Sequence, residues 1–290
     1  MLKKRLIATL ILKNGILVQS IGFKRFLPIG NPIYTLELIS KWDIDEIVIL
    51  DIDCTVQNKS FNLLKLQEYA RHSSVPLTVG GGIKSLTDVK KIISKGADKV
   101  LISSVIFTNI NLIKKISEYF GSQCVVVCLD IKKENGKYYI FKKNGKIKTN
   151  YDLKKTIDKI GMLGAGEIMI NSIDRDGKKK GFDINLIKFV ASITNLPVIA
   201  LGGAGKYSDF IEPFKRTKVS ALAAGNIFHF TEHSTIIAKA NMLKKGIDVR
   251  VNSDAIYKLR NFDDTGRVIP QSYSKLSKLI LKPYNFKKSK

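Results

Sequence analysis

Short apolar runs recur along the chain, each ending in a polar or glycine-rich turn and followed by apolar residues at three- and four-residue spacing. A continuous apolar run bounded by turn signals reads as a buried strand, and the longer spacing reads as an amphipathic helix. Strands are predicted at Leu6–Leu12, Glu46–Leu50, Leu77–Val79, Lys99–Ile102, Val125–Leu129, Glu167–Ile170, Val198–Leu201 and Ala221–Ala224. Helices are predicted over Pro32–Ser40, Phe61–His72, Thr87–Lys95, Leu153–Leu163, Ile184–Ile193, Ser208–Phe214 and Thr235–Lys244. Residues 16–32, with Gly22, Pro28, Gly30 and Pro32, read as a long loop, and long loops in compact domains often serve as lids. Gly136 and Gly145 mark an inserted hairpin with Tyr138–Phe141 as one arm.

The pattern repeats. Leu196-Pro-Val-Ile-Ala-Leu-Gly-Gly-Ala-Gly-Lys206 echoes Val75-Pro-Leu-Thr-Val-Gly-Gly-Gly-Ile-Lys84 in its proline, strand, glycine cluster and lysine. With the two copies in register, Ile102–Val105 falls opposite Ala224–Ile227, Leu50–Asp53 opposite Asn171–Asp174, and the strand around Ile11 opposite Asp130. Eight strands alternating with helices in two similar halves predict an α/β fold: a closed (βα)₈ barrel rather than an open doubly wound sheet. Barrel active sites lie at the C-terminal ends of the strands. The residues expected there are Asp51, Gly81, Gly82, Ser103, Ser104, Asp130, Asn171, Ser172, Asp176, Gly202, Gly203 and Gly225. Glycines after a strand let backbone N–H groups approach an anion closely. These residues therefore form two phosphate-type corners, one per half, with Asp130 between them. An enzyme acting on a small molecule with a phosphate at each end is the natural inference.

Length and composition narrow this reading. A (βα)₈ barrel takes about 250 residues, so the 290 residues here leave an extension. We expect the barrel over 1–251, and over 252–290 a basic segment that is either a flexible tail or a partner-docking element. The net charge of +24 comes from lysines scattered over helices, without a nucleic-acid-binding motif, and some of it suits phosphorylated anions. No nucleic-acid partner is expected. No apolar run reaches the roughly 18 residues of a membrane span, and the basic start lacks the pattern of a signal peptide, so a cytoplasmic protein is expected. Cys54, Cys124 and Cys128 lack metal-ligand spacing and read as reduced thiols. His72, His229 and His233 are too dispersed for a metal site and suit surface or helix-end roles. No metal or cofactor is called for. Asp51 and Asp53 could pair, but a strand-end role for Asp51 alone is the plainer reading.

Several blocks in order carry a family resemblance: Leu77-Thr-Val-Gly-Gly-Gly-Ile83, Phe120-Gly-Ser-Gln123, Gly164-Ala-Gly-Glu-Ile168, Ser172-Ile-Asp-Arg-Asp-Gly177 and Gly202-Gly-Ala-Gly-Lys206. From about residue 3 to 251 the chain resembles HisF, the cyclase subunit of imidazole glycerol phosphate synthase. The resemblance implies a (βα)₈ barrel with two phosphate sites, to which Gly177 and Ala224 also contribute, and a HisH-type glutaminase docked at the barrel floor. Ammonia from that glutaminase would react at the top to give imidazole glycerol phosphate and an aminoimidazole carboxamide ribotide. It also implies an ammonia gate of four charged residues, here Arg5, Glu46, Lys99 and Glu167, with a salt-bridged stabilising cluster as the simpler alternative.

The family uses two aspartates as acid and base. Asp130 matches one, but Ile11 stands at the other position, and Arg5, Ile7, Thr9 and Ile11 alternate onto one face, so Ile11 is expected to face inward. Isoleucine transfers no proton. Gln19 stands where the family has a lysine, Ser103 replaces an asparagine, and Leu201 and Gly225 replace serines. The resemblance thus leaves three outcomes: a weakened cyclase, a paralogue supplying ammonia with an amidotransferase that amidinates a nucleotide-linked sugar for surface polysaccharide, or a non-catalytic ammonia conduit. The Ile-Leu-Lys stretch after strand one resembles the polysaccharide group.

Overall fold

The computed structural model describes residues 3–229, 233–252, 257 and 260–269. The first half runs β1 (Arg5–Lys13), β2 (Ile16–Ile21), β3 (Arg25–Gly30), α1 (Pro32–Lys41), β4 (Glu46–Asp51), α2 (Ile52–Val56), α3 (Leu63–His72), β5 (Leu77–Gly80), α4 (Leu86–Ser94), β6 (Lys99–Ile102) and α5 (Leu112–Phe120). The second runs β7 (Val125–Glu134), β8 (Lys137–Lys142), β9 (Ile147–Lys148), α6 (Leu153–Met162), β10 (Glu167–Ser172), α7 (Ile184–Ile193), β11 (Val198–Leu201), α8 (Ile211–Arg216), β12 (Ala221–Ala224) and α9 (Ser234–Lys244). Parallel pairing runs β1–β4–β5–β6–β7–β10–β11–β12 and returns from β12 to β1. The sheet is therefore the closed eight-stranded barrel that the repeat predicts.

Successive strand residues point to opposite faces, and this divides the apolar residues into two cores. Leu6, Ala8, Leu10 and Leu12 of β1 join the outer core between barrel and helices. Ile7 joins a smaller inner core with Val48, Leu101, Val126, Cys128, Met169 and Ile199. This inner layer fills the barrel, as a packed (βα)₈ interior requires, and separates a charged floor from a polar top. Most of the surrounding helices start at side-chain caps. Asn62 accepts from the N–H groups of Leu64 and Lys65, Asp152 from that of Lys155, and Ser85 forms a reciprocal box with Asp88.

The structure corrects the sequence reading in places. Residues 16–32 are not a loop: β2 and β3 form an antiparallel hairpin, and β2 also pairs with the end of β1. Proline and glycine in the returning arm hid its strand character, which an edge strand tolerates. Helices α2 and α5 were not expected. The segment Ser208–Phe214 is a 3₁₀ turn, Tyr207–Phe210, running into a short α-helix. Of the expected extension, residues 260–269 fold back against the barrel. Phe262 bridges Val268, and the Ser208 N–H donates to the Thr265 carbonyl. The rest of that segment lies outside the described residues, apart from Asn252 and Tyr257.

Candidate functional site

At the N-terminal mouth, four strand-initial side chains turn inward. Arg5 donates to Glu46 Oε2 at 3.1 Å and also to Glu167, and Lys99 Nζ lies 2.9 Å from Glu46 Oε2 and 2.8 Å from Glu167 Oε2. The Thr78 hydroxyl donates to the remaining Glu46 oxygen at 2.6 Å. Two acids and two bases thus alternate in a closed ring. Burial opposes charge on Arg5, Lys99 and Glu167 alike, yet the hydrogen bonds and opposite charges prevail. Both basic groups are raised and the Glu167 carboxyl is lowered from their ordinary values.

At the opposite end lies a cavity of about 470 Å³, lined by residues from the ends of all eight barrel strands and the turns that follow them. Gly81, Gly82, Ser103 and Ser104 line one side, with Asp51 at the end of β4 and Lys84 beyond the glycines. Gly177, Gly202, Gly203, Ala224 and Gly225 line the other. The glycines there are steric necessities. A side chain at Gly81 would meet the Asp51 carbonyl at 2.3 Å, and one at Gly203 the Gly181 carbonyl at 2.1 Å, both at positive φ. Bare backbone therefore faces the cavity on both sides.

Asp130 lines the cavity between these corners. Its Oδ1 accepts from Asn171 Nδ2 at 3.2 Å. Placed deep in the barrel, just above the apolar layer, its carboxyl is pushed up to about 7, mainly by desolvation. The Asn171 bond pulls it down, and the negative charge of Asp176 adds to the rise. A carboxyl in that range can take or give a proton near neutral pH. Ile11 and Thr9 line the same cavity, so the first strand presents an apolar side chain and a hydroxyl there. Thr9 Oγ1 and Asn171 Oδ1 are buried without a protein partner. Such groups are costly unless something accepts or donates to them.

Asp176 has a different setting. Ser20 Oγ donates to its Oδ2 at 2.6 Å and the Phe23 N–H at 3.1 Å, while the Gly22 N–H donates to its main-chain carbonyl. Asn226 Nδ2 also donates to the Ser20 carbonyl at 2.8 Å. The β2–β3 hairpin is thereby tied down over the second corner. Burial raises the Asp176 carboxyl, and these hydrogen bonds oppose the rise.

Of the residues expected from sequence, Ser172 alone does not line the cavity. Its neighbour Asn171 faces inward, so Ser172 faces the helices, and its carbonyl instead caps the Arg175–Asp176 turn. Asp53 also stands apart from the cavity. It lies in the first turn of α2 and pairs with Lys13 at 3.1 Å. Sequence reasoning missed Ser20, Phe23, Asn144 and Asn226, and it put Thr9 on the inward face without counting it as a site residue. Ser20 and Phe23 needed the hairpin fold, and Asn144 and Asn226 carry no local signal.

The histidine biosynthesis protein family matches residues 5–234. A Vibrio vulnificus protein with the provisional name imidazole glycerol phosphate synthase subunit hisF2 is 40% identical over 268 residues, 92% of this chain and 98% of its own. The imidazole glycerol phosphate synthase subunit HisF of Clostridium beijerinckii is 40% identical over 250 residues, 86% of this chain and 99% of its own. That of Streptococcus mutans is 38% identical over 251 residues, 86% of this chain and all of its own. Matches of this extent, on a closed barrel with two glycine corners, show that the chain belongs to the HisF-type family of histidine biosynthesis proteins.

Proposed function

We propose that this chain is the synthase subunit of a glutamine-dependent enzyme. It receives ammonia from a HisH-type glutaminase at the charged mouth and uses it on a phosphorylated substrate in the C-terminal cavity, with the family's cyclase step weakened or redirected. The observation that carries this is the pairing of Asp130 with an apolar partner. The Asp130 carboxyl is pushed up to about 7, whereas Ile11 occupies the family's other acid–base position. Gly81, Gly82, Ser103 and Ser104, with Asp51, hold one phosphate end. Asn171, Asp176, Gly177, Gly202, Gly203, Ala224 and Gly225 hold the other, and Ser172 supports that corner through its backbone. The relatives are named as subunits, which favours a partner at the Arg5–Glu46–Lys99–Glu167 ring. Loss of a general acid or base typically costs about 10² to 10⁴ in rate. Ammonia-dependent turnover of the histidine-pathway intermediate, measured without glutaminase, tests the reading. Slow or absent turnover is expected, and turnover matching an ordinary HisF would overturn redirection.

A second reading is an ammonia-supplying paralogue working with a sugar amidotransferase on a nucleotide-linked sugar. The Ile11-Leu12-Lys13 stretch at the end of β1, which resembles that group, favours it. On that reading, turnover of the histidine intermediate is absent even with Ile11→Asp, and ammonia transfer appears only with the amidotransferase added.

A further inference from the structure

Beside the second corner lies another cavity, of about 310 Å³, that the barrel alone does not make. Its walls come from four segments remote in sequence: the β10–α7 loop with Lys179, the turn after β11 with Gly205 and Lys206, the turn after β12 with Asn226 and Ile227, and the folded-back C-terminal segment with Asp263, Thr265 and Arg267. Gly177, Ala204 and Asn226 line both this cavity and the main one, so the two adjoin.

The C-terminal wall is built rather than draped. Asp263 Oδ1 accepts from the Thr265 N–H at 2.8 Å, the Thr265 hydroxyl at 2.7 Å and the Arg267 N–H at 3.0 Å, which fixes a tight turn. The Asp263 carboxyl is held below its usual value by these bonds. The turn is fastened to the loop of the second corner. The Ser208 N–H and Oγ donate to the carbonyls of Thr265 and Asp264, each at 3.1 Å. Gly266 packs so closely that a side chain there would meet the Ser208 nitrogen at 2.7 Å. Gly205 likewise presses on Lys179, where an added side chain would meet the Lys179 Cβ at 2.4 Å. These contacts fix Lys179 and Arg267 in the lining of one pocket.

The charges in this pocket are unbalanced. Lys179, Lys206 and Arg267 bring three cations, and none has an ion-pair partner among the described residues. The one carboxylate on the wall, Asp263, is spent on its own turn. We propose that this pocket is an outer anion subsite that takes the distal phosphoryl group of a diphosphate-bearing ligand whose proximal phosphoryl group sits in the second corner. The inference rests on that corner holding phosphate but on no particular acceptor chemistry. An arginine fork suits phosphoryl oxygens, and the shared wall of Gly177, Ala204 and Asn226 allows the two groups to be directly bonded.

Binding of inorganic phosphate and inorganic pyrophosphate to the full chain, measured by calorimetry at low salt, tests this. Wild type is expected to prefer pyrophosphate. Arg267→Gln should weaken pyrophosphate about tenfold, the worth of one charge-assisted hydrogen bond, and leave phosphate within twofold. Lys206→Gln should act in the same direction, and Arg267→Lys should retain part of the preference. The Arg267 side chain is exposed and its fold contacts are through its backbone N–H and carbonyl, so its variants should keep the wild-type melting temperature. Equal weakening of both anions by Arg267→Gln, or no weakening of pyrophosphate, would overturn the outer subsite. Wild type that binds no phosphate but binds pyrophosphate in an Arg267-sensitive way would overturn the corner assignment and with it the seat of the proximal phosphoryl group, leaving the outer anion pocket alone.

Discussion

The two ends of one barrel treat buried charge in opposite ways. At the floor, Arg5, Glu46, Lys99 and Glu167 satisfy one another in a ring, and each titratable shift there strengthens the charged form. At the top, Asp130 has one neutral amide for a partner, a second acid nearby, and an apolar Ile11 lining the same cavity. The same alternation of strand residues supplies both ends. A ring of pairs makes charge permanent, whereas a buried acid without a cation partner is poised to exchange a proton.

The sharpest way to break the comparison is to remove the poised acid. Asp130→Asn should lower ammonia-dependent turnover of the true acceptor by about 10³ or more while the fold remains, as circular dichroism would show. Retained turnover would mean that the proton moves elsewhere. Next in size is the floor. Arg5→Ala leaves two buried carboxylates to one lysine, and breaking such a cluster costs about 3–5 kcal/mol, readable as a lower urea midpoint at pH 7. The loss should shrink at low pH. Glu167, lowered in the folded state, contributes stability above its unfolded value and loses it as pH falls through the folded one.

Ile11→Asp carries the floor's logic of charge to the top, but without a cation. It should raise turnover of the histidine-pathway intermediate by about tenfold or more, within the range of a restored acid or base. It should also push Asp130 further up through like charge, seen as a basic shift in the pH–rate profile. A last effect is on stability. Asp130 ionises near 7 folded and near 3.8 unfolded, so the fold favours its protonated form. Its contribution is full below 3.8 and is lost as pH rises through about 7. Asp130→Asn should therefore gain on wild type between pH 4 and pH 8. After allowing for water in the cavity, the gain is roughly 2 kcal/mol, and equal urea midpoints at both pH values would refute the buried-acid picture.

Barrel strands, their polar ends and the two glycine corners were legible in the sequence because they follow from local rules. Period-two alternation assigns Arg5, Ile7, Thr9 and Ile11 to one face, and glycine marks positive φ wherever it occurs. The repeat of the Val75–Lys84 pattern at Leu196–Lys206 then fixed the number of strands and which of their ends carries the site. Tertiary structure decided the rest. The hairpin over 16–32 exists because β2 finds the edge of β1 beyond the barrel, and no residue within it announces that partner. Ser172 left the cavity for a reason of parity that depends on where Asn171 points. The value of the Asp130 carboxyl depends on Asn171, Asp176 and the depth of the barrel, all contributed by other parts of the chain. Asp263 and Arg267 read as tail until Ser208 holds them at the second corner. Sequence determines what a segment can pair with, but desolvation and long-range charge are set only when distant segments meet.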